Sequence, residues 1–139
     1  MYDSYYGDYW KIYLDRFTDR DTKQFIALKP GHTKFKDAED RMKYNHEAYL
    51  KGIEKDSFLN HHDVKCIWSI TVDSLWKREY LESFMLNWFG EQKKLGYWTS
   101  GASEVREYDQ TKVNKWLSKD KERIQNWLKK EQNANIFTL

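Results

Sequence analysis

An alternating run of side chains near the N-terminus is the feature that most constrains the fold. Residues 8–17 (DYWKIYLDRF) are rich in aromatic and branched side chains, and Trp10, Ile12 and Leu14 would share one face of an extended chain. A polar cluster at 18–23 and a second apolar run at 24–28 follow. We therefore predict a β-hairpin that ends at Pro30-Gly31, since proline cannot donate to a strand ladder.

A helix and a third strand are predicted next. Residues 37–45 (DAEDRMKYN) begin with acidic side chains and continue with good helix formers, which favours a short helix from Asp37. Residues 64–72 (VKCIWSITV) form a β-branched run that is typical of a central strand. Cys66, the single cysteine, lies within this run and is expected to be an inert buried thiol.

Two helices complete the predicted order of elements. Asp73 or Ser74 would cap a helix running to Phe89, because apolar side chains repeat there at helical spacing. A last helix is predicted over residues 110–132. The expected fold is a single α+β domain over residues 1–139. It would hold a small, three-stranded, mainly antiparallel sheet flanked by helices, in the order β-β-α-β-α-α.

Composition restricts the classes of function. The chain has 139 residues, of which 40% are hydrophobic and 17% aromatic, which suits one domain with a core of large side chains. The net charge of +2 gives no global attraction to a polyanion, so any nucleic-acid affinity must come from local patches. No apolar run approaches the ~20 residues that span a bilayer, so a cytoplasmic protein is expected, without a membrane partner.

A motif follows the predicted hairpin. In residues 28–41 (LKPGHTKFKDAEDR), the motif positions are occupied by Lys29, Gly31, Thr33 and Arg41. This segment resembles the second motif of the GIY-YIG nuclease superfamily, especially its phage-associated branch, which reads Lys-Ile-Gly-x-Thr before a helix-borne arginine. Pro30 replaces the apolar residue of that pattern.

Two later segments extend the resemblance to roughly residues 9–108. Residues 80–89 (YLESFMLNWF) are similar to the family's second helix, and its metal-binding glutamate falls on Glu82. Residues 101–105 (GASEV) are similar to the Gly-x-Thr/Ser-Glu turn that follows this helix. The late asparagine of the family has no counterpart, and Arg41 stands two positions later than usual.

The resemblance implies a Mg²⁺-dependent DNA endonuclease, encoded by a phage or mobile element, with Mn²⁺ as a substitute metal. A strand tyrosine would activate water, Arg41 would hold the scissile phosphate, and Glu82 would bind the metal ion. Lys29 would add a phosphate contact. The tyrosine is either Tyr9 or Tyr13; Tyr13 is preferred because its shorter path to Lys29 is nearer the family's tight hairpin.

Other candidates flank these residues. His32 and His46 could bind phosphate or assist proton transfer, although a loop histidine is more often simply exposed. Glu82 would lie among apolar neighbours on its helix and therefore needs a partner. That partner is either the metal ion of a functional site or Arg78 in a surface ion pair. Glu104 would orient Arg41 or stabilise the turn that contains it.

The last helix carries a basic side. Its candidate DNA-binding residues are Lys112, Lys115, Lys119 and Arg123. Contacts from such side chains to phosphates would give affinity without sequence specificity. Interrupting acidic residues make an ordinary solvated face the alternative.

Two alternatives to a nuclease remain open. The first is a catalytically inactive GIY-YIG-like module that binds nucleic acid or a protein. The second is a homo-oligomeric interface that uses the aromatic surplus.

Overall fold

The computed structural model describes residues 6–118, 124 and 126. Its strands and helices, in chain order, are β1 (Tyr6–Asp19), β2 (Phe25–Phe35), α1 (Ala38–Leu50), β3 (His62–Val72), α2 (Leu75–Trp88), β4 (Arg106–Glu107) and α3 (Gln110–Leu117). Short 3₁₀ turns lie at Phe58–Asn60 and Ala102–Glu104.

The strands form one antiparallel sheet in the order β3-β1-β2-β4. The predicted α+β class, with helices flanking an antiparallel sheet, is confirmed. The predicted number of strands is wrong, because β4 adds a fourth strand between α2 and α3. It pairs with Ala27 and Leu28 and is only two residues long, too short to leave an alternating pattern in the sequence.

β2 does not end at Pro30-Gly31 as predicted, but continues to Phe35. Proline is tolerated in a strand where its missing N–H faces an open edge. β4 pairs with β2 only at Ala27 and Leu28, so among the described residues the edge beyond them is open. This extension matters because it places His32 and Lys34 within the sheet.

Alternate residues of β1 and β2 point to opposite faces of the sheet, and each face is covered by helices. One face packs against α1 and is called the α1 face; its cluster is Phe17, Ala27, Met42, Phe58 and Val105. The other packs against α2 and α3 and is called the α2 face; its buried residues include Ile12, Leu14, Leu28, Leu81, Met85, Val113 and Trp116. The sheet is therefore the middle layer of a three-layer arrangement.

α3 is fixed by its apolar side. Asp109 caps the helix by accepting a hydrogen bond from the Lys112 amide at 3.1 Å, and Trp116 is fully buried at 5.2 Å from the Trp68 ring centroid. α3 covers the first part of the helix predicted over residues 110–132. Beyond Ser118 the structure describes only residues 124 and 126, which are helical, and the rest of that prediction lies outside the described residues.

Across residues 6–118, 124 and 126, no helix combines the length and the apolar character that crossing a membrane requires.

Gly31 allows a close approach between β1 and β2. It lies opposite Tyr13 in the strand register, and a Cβ atom added at Gly31 would stand only 2.4 Å from the Tyr13 hydroxyl oxygen. The phenol ring of Tyr13 therefore occupies the space above the glycine. A side chain at position 31 would have to displace a buried aromatic ring.

We predict that Gly31→Ala lowers the free energy of unfolding by about 1–3 kcal/mol, because it overpacks this site. Urea unfolding at pH 7 measures the change. In a Tyr13→Ala background the ring is gone, so Gly31→Ala should cost much less. Equal losses in both backgrounds would contradict the packing explanation.

Candidate functional site

The residues expected to form one site are carried on opposite faces of the sheet. Arg41 belongs to α1, whose Met42 packs on the α1 face. Glu82 belongs to α2, whose Leu81 packs on the α2 face. The sheet lies between these helices, so the expected hollow shared by a strand tyrosine, Arg41 and Glu82 is not formed.

A buried group of polar residues, here called the lysine network, occupies the α1 face: Tyr13, Asp15, Lys29 and Glu104. Lys29 Nζ donates to the Tyr13 hydroxyl at 3.1 Å and forms an ion pair with Glu104 at 3.0 Å. Asp15 lies opposite Lys29 in the register, and the two residues are 3% and 5% exposed. Of these four side chains, that of Glu104 is the most open to solvent.

Burial and neighbouring charges perturb the pKa values within the lysine network. Burial raises the pKa of Asp15 to about 7, against the opposing effect of Lys29. Burial also raises the pKa of Tyr13. Burial alone would lower the pKa of Lys29, but Tyr13, Glu104 and Asp15 raise it above its ordinary value. At neutral pH, Lys29 is therefore a buried cation and Tyr13 a neutral phenol.

Tyr13 and Lys29, expected to be catalytic, are thus enclosed in the protein. Lys29 is 5% exposed, so a substrate phosphate cannot reach it unless the segments that cover this face of the sheet move away. The other candidate tyrosine, Tyr9, is 54% exposed, so solvent reaches it. The structure favours a packing role for Tyr13 and Lys29, and the preference for Tyr13 over Tyr9 as a catalyst loses its support.

The raised pKa of Asp15 gives a stability prediction. Its pKa is about 7 in the folded chain against an ordinary 3.8, so its contribution to stability is full below pH 4 and is lost as the pH rises through 7. Relative to Asp15→Asn, the native chain should lose on the order of 2–3 kcal/mol of unfolding free energy between pH 5 and pH 8.

Urea unfolding at the two pH values measures this difference, and Asp21→Asn, at an exposed position, serves as the matched control. The control should keep the pH slope of the native chain. An unchanged slope in Asp15→Asn would show that Asp15 does not titrate between these values.

A second polar group lies on the α2 face. His32 Nδ1 and Glu82 Oε2 are 2.5 Å apart, which joins β2 to α2. Gly31 lies against the Tyr13 ring on the α1 face. Neighbouring residues of a strand point to opposite faces, so His32 points to the α2 face. The side chains of His32 and Glu82 are 34% and 17% exposed, so a ligand in solvent can reach the pair.

The Trp10 ring contacts His32 and two cationic side chains. Trp10 meets His32 edge to face at a centroid distance of 5.7 Å. Lys34 Nζ lies 4.5 Å and Arg78 Cζ 4.3 Å from the Trp10 ring centroid, both within cation–π range. We call these five residues, Trp10, His32, Lys34, Arg78 and Glu82, the histidine–glutamate cluster. It holds two cationic side chains, one carboxylate and one imidazole, and Arg78 also forms an ion pair with Glu79 at 3.6 Å.

The contact between His32 and Glu82 orients the imidazole. A carboxylate only accepts hydrogen bonds, so the 2.5 Å contact assigns the proton to Nδ1 and leaves the Nε2 lone pair available in the neutral ring. An imidazole held in this tautomer can remove a proton from water. The sequence analysis treated His32 and Glu82 as separate candidates and did not pair them.

A divalent cation would need oxygen or nitrogen ligands from this cluster. Within the described residues, no group of three or more His, Cys, Asp or Glu side chains is placed to hold a metal ion. Mg²⁺, however, commonly binds one or two carboxylates and completes its shell with water and substrate phosphate. His32 contacts Oε2 of Glu82, and the other carboxylate oxygen is not engaged in that contact. Within the cluster, Glu82 alone offers a carboxylate oxygen to such an ion.

The remaining predicted residues lie elsewhere. His46 Nδ1 is 2.8 Å from Ser57 Oγ, and its ring stacks on Tyr49 within α1, so it belongs to the α1 side. Lys112 and Lys115 lie on α3, which packs on the α2 face. Lys119 and Arg123 lie outside the described residues.

The sequence analysis did not single out Lys34 or Asp15. The alternation of side chains along β2 could have identified Lys34, because it places Lys34 on the same face of the sheet as His32 and on the other face from Lys29. The prediction that β2 ends at Pro30-Gly31 hid this pattern. Glu104 was expected either to orient Arg41 or to cap the following segment or form its turn, and the structure pairs it with Lys29.

Comparisons with protein families, with curated proteins and with solved structures find no match for this chain. The resemblance to GIY-YIG nucleases therefore rests on the motifs of the chain itself.

Proposed function

We propose that this protein is a Mg²⁺-dependent DNA endonuclease, GIY-YIG-like in its motifs, whose reactive centre is the histidine–glutamate cluster. The contact that supports this most is the one between His32 Nδ1 and Glu82 Oε2 at 2.5 Å, on an accessible face and beside two cations. Hydrolysis of a phosphodiester needs a base for water and positive charge for the phosphate oxygens. The cluster supplies both within a few side chains.

In the proposed reaction, His32 Nε2 accepts a proton from a water molecule while the water oxygen attacks phosphorus. The bond from phosphorus to one ester oxygen breaks, and that oxygen takes a proton from solvent. Glu82 holds the imidazole in its reactive tautomer and stabilises the imidazolium that forms. Lys34 and Arg78 bind the phosphate oxygens, where Arg78 offers a planar fork of donors.

Glu82 would also hold the metal ion through its second carboxylate oxygen, and a bound Mg²⁺ or Mn²⁺ would stabilise negative charge on the phosphate. The groups that the resemblance assigns to catalysis are thus partly replaced. Glu82 keeps its role, His32 takes the place of a strand tyrosine as the base, and Arg78 takes the place of Arg41.

DNA is the proposed partner because Lys34 and Arg78 supply two cations on the Trp10 ring, although the chain has a net charge of only +2. α3 packs on the same face as α2, so Lys112 and Lys115 are candidates for further phosphate contacts on this face. Contacts of this type would add affinity that falls as the salt concentration rises.

A binding module without catalysis is the second candidate. The burial of Tyr13 and Lys29 favours it, because these residues occupy positions that the resemblance makes catalytic. Such a protein would bind DNA through Lys34 and Arg78 and leave the strand intact.

Substitutions of Arg78 and Arg41 distinguish the proposed site from the site expected from the motifs. We predict that Glu82→Gln lowers plasmid nicking about 100-fold or more, since it removes the carboxylate that orients the base. Arg78→Gln should lower nicking roughly 10-fold or more. Arg41→Gln, the matched change on the opposite face, should leave it within about 2-fold of the native rate.

Nicking of supercoiled plasmid with Mg²⁺ or Mn²⁺ measures these rates, and circular dichroism checks that each variant is folded. Equal losses in Arg78→Gln and Arg41→Gln would refute the proposed site. Intact plasmid with the native chain, together with salt-sensitive DNA binding, would establish the binding module instead.

A further inference from the structure

The segment between α2 and α3 is fixed to the C-terminal end of α2. Arg106 donates from Nε to the Leu86 carbonyl oxygen at 3.1 Å and from Nη1 to the Ser103 carbonyl oxygen at 2.7 Å. Leu86 lies in the last turn of α2, where carbonyl groups lack partners within the helix. A guanidinium here satisfies such a carbonyl and is favoured by the helix dipole.

The same segment is also fixed to the opposite face of the sheet. Glu104 forms the 3.0 Å ion pair with Lys29, whose side chain is buried on the α1 face. Gly101, with φ at +87°, allows this approach, because a Cβ atom there would stand 2.9 Å from Lys29 Cε. The Gly101–Val105 turn therefore lies directly over Lys29.

β4 joins these two attachments at the edge of β2. Arg106 and Glu107 pair with Leu28 and Ala27, and the Lys93 amide donates to the Val105 carbonyl oxygen at 2.8 Å. The segment thus passes around the edge of the sheet, held by Glu104 on the α1 face and by Arg106 on the α2 face. The Glu104 attachment acts on β2, the strand that carries His32, and the Arg106 attachment acts on α2, the helix that carries Glu82.

We infer that Arg106 is a positioning residue that sets the location of α2 on the sheet so that Glu82 meets His32. Leu86 follows Glu82 by one helical turn, so a shift of the Leu86 carbonyl along the helix axis carries Glu82 with it. The ion pair between Lys29 and Glu104 anchors the segment from which Arg106 extends. This gives the buried lysine network a role at a site on the opposite face.

The catalytic consequence of this inference rests on the proposed function, but the positioning itself can be tested without it. The chain contains four histidines, and a His32→Asn variant assigns the His32 ring signals in an NMR spectrum. Glu82→Gln then shows how far those signals move when the partner carboxylate is lost.

The test compares Arg106→Gln with Lys93→Gln, a matched loss of one positive charge from the same segment. Lys93 pairs with the exposed Glu107 at 3.0 Å and does not hold α2 through that contact. Arg106→Gln should shift the His32 ring signals in the direction of Glu82→Gln and by a comparable amount, and Lys93→Gln should leave them in place. If Arg106→Gln does not fold, Arg106→Lys is measured in its place and should give a smaller shift in the same direction.

Plasmid nicking by the same variants separates the two proposals. If both hold, Arg106→Gln lowers kcat roughly 10-fold while KM for DNA stays within about 2-fold, as expected for a misplaced reactive group. If Arg106→Gln shifts the His32 signals but the native chain never nicks DNA, the positioning role is supported and the nuclease is rejected. Unshifted His32 signals in a folded Arg106 variant would overturn the positioning role, whatever the nicking rate.

Discussion

The alternation of side chains along β2 is the constraint on which the rest of the structure depends. Consecutive residues of this strand point to opposite faces of the sheet, so Lys29 lies in a buried network while His32 remains accessible beside Glu82. A shift of one residue in the strand register would exchange these environments. It would expose the lysine and bury the imidazole. The contact between Gly31 and Tyr13 helps to fix the register that prevents this exchange.

The lysine network and the histidine–glutamate cluster differ in what their charges can do. Ionic groups taken out of water must be paired, and Lys29 satisfies this with Tyr13 and Glu104. Those contacts occupy the groups that a substrate would otherwise bind. The cluster on the α2 face keeps its cations against the Trp10 ring. Lys34 is exposed there, and the Arg78 side chain is 17% exposed and pairs with Glu79. A motif match identifies residue types, whereas the packing of the strand decides which of them a ligand can reach.

Elements with long, strongly patterned sequences could be predicted from the chain alone. The alternating run in β1, the β-branched run in β3 and the apolar repeat in α2 each identified their element to within a few residues. β4 could not be predicted, because a two-residue strand depends on its neighbour and not on its own pattern. For the candidate site, the sequence singled out His32 and Glu82 but did not pair them. That pairing joins residues 50 positions apart and required knowing which helix covers which face.

We propose that the reactive centre lies on the α2 face, at His32 and Glu82. Titration of the isotope-labelled chain with Mn²⁺ tests this directly, because the ion broadens the NMR signals of nuclei near its binding site. We expect the broadening to be strongest at Glu82 and His32, to be weak at Arg41 and the lysine network, and to be abolished by Glu82→Gln. Broadening centred on Arg41 or on the lysine network, or unaffected by that substitution, would contradict a reactive centre at His32 and Glu82.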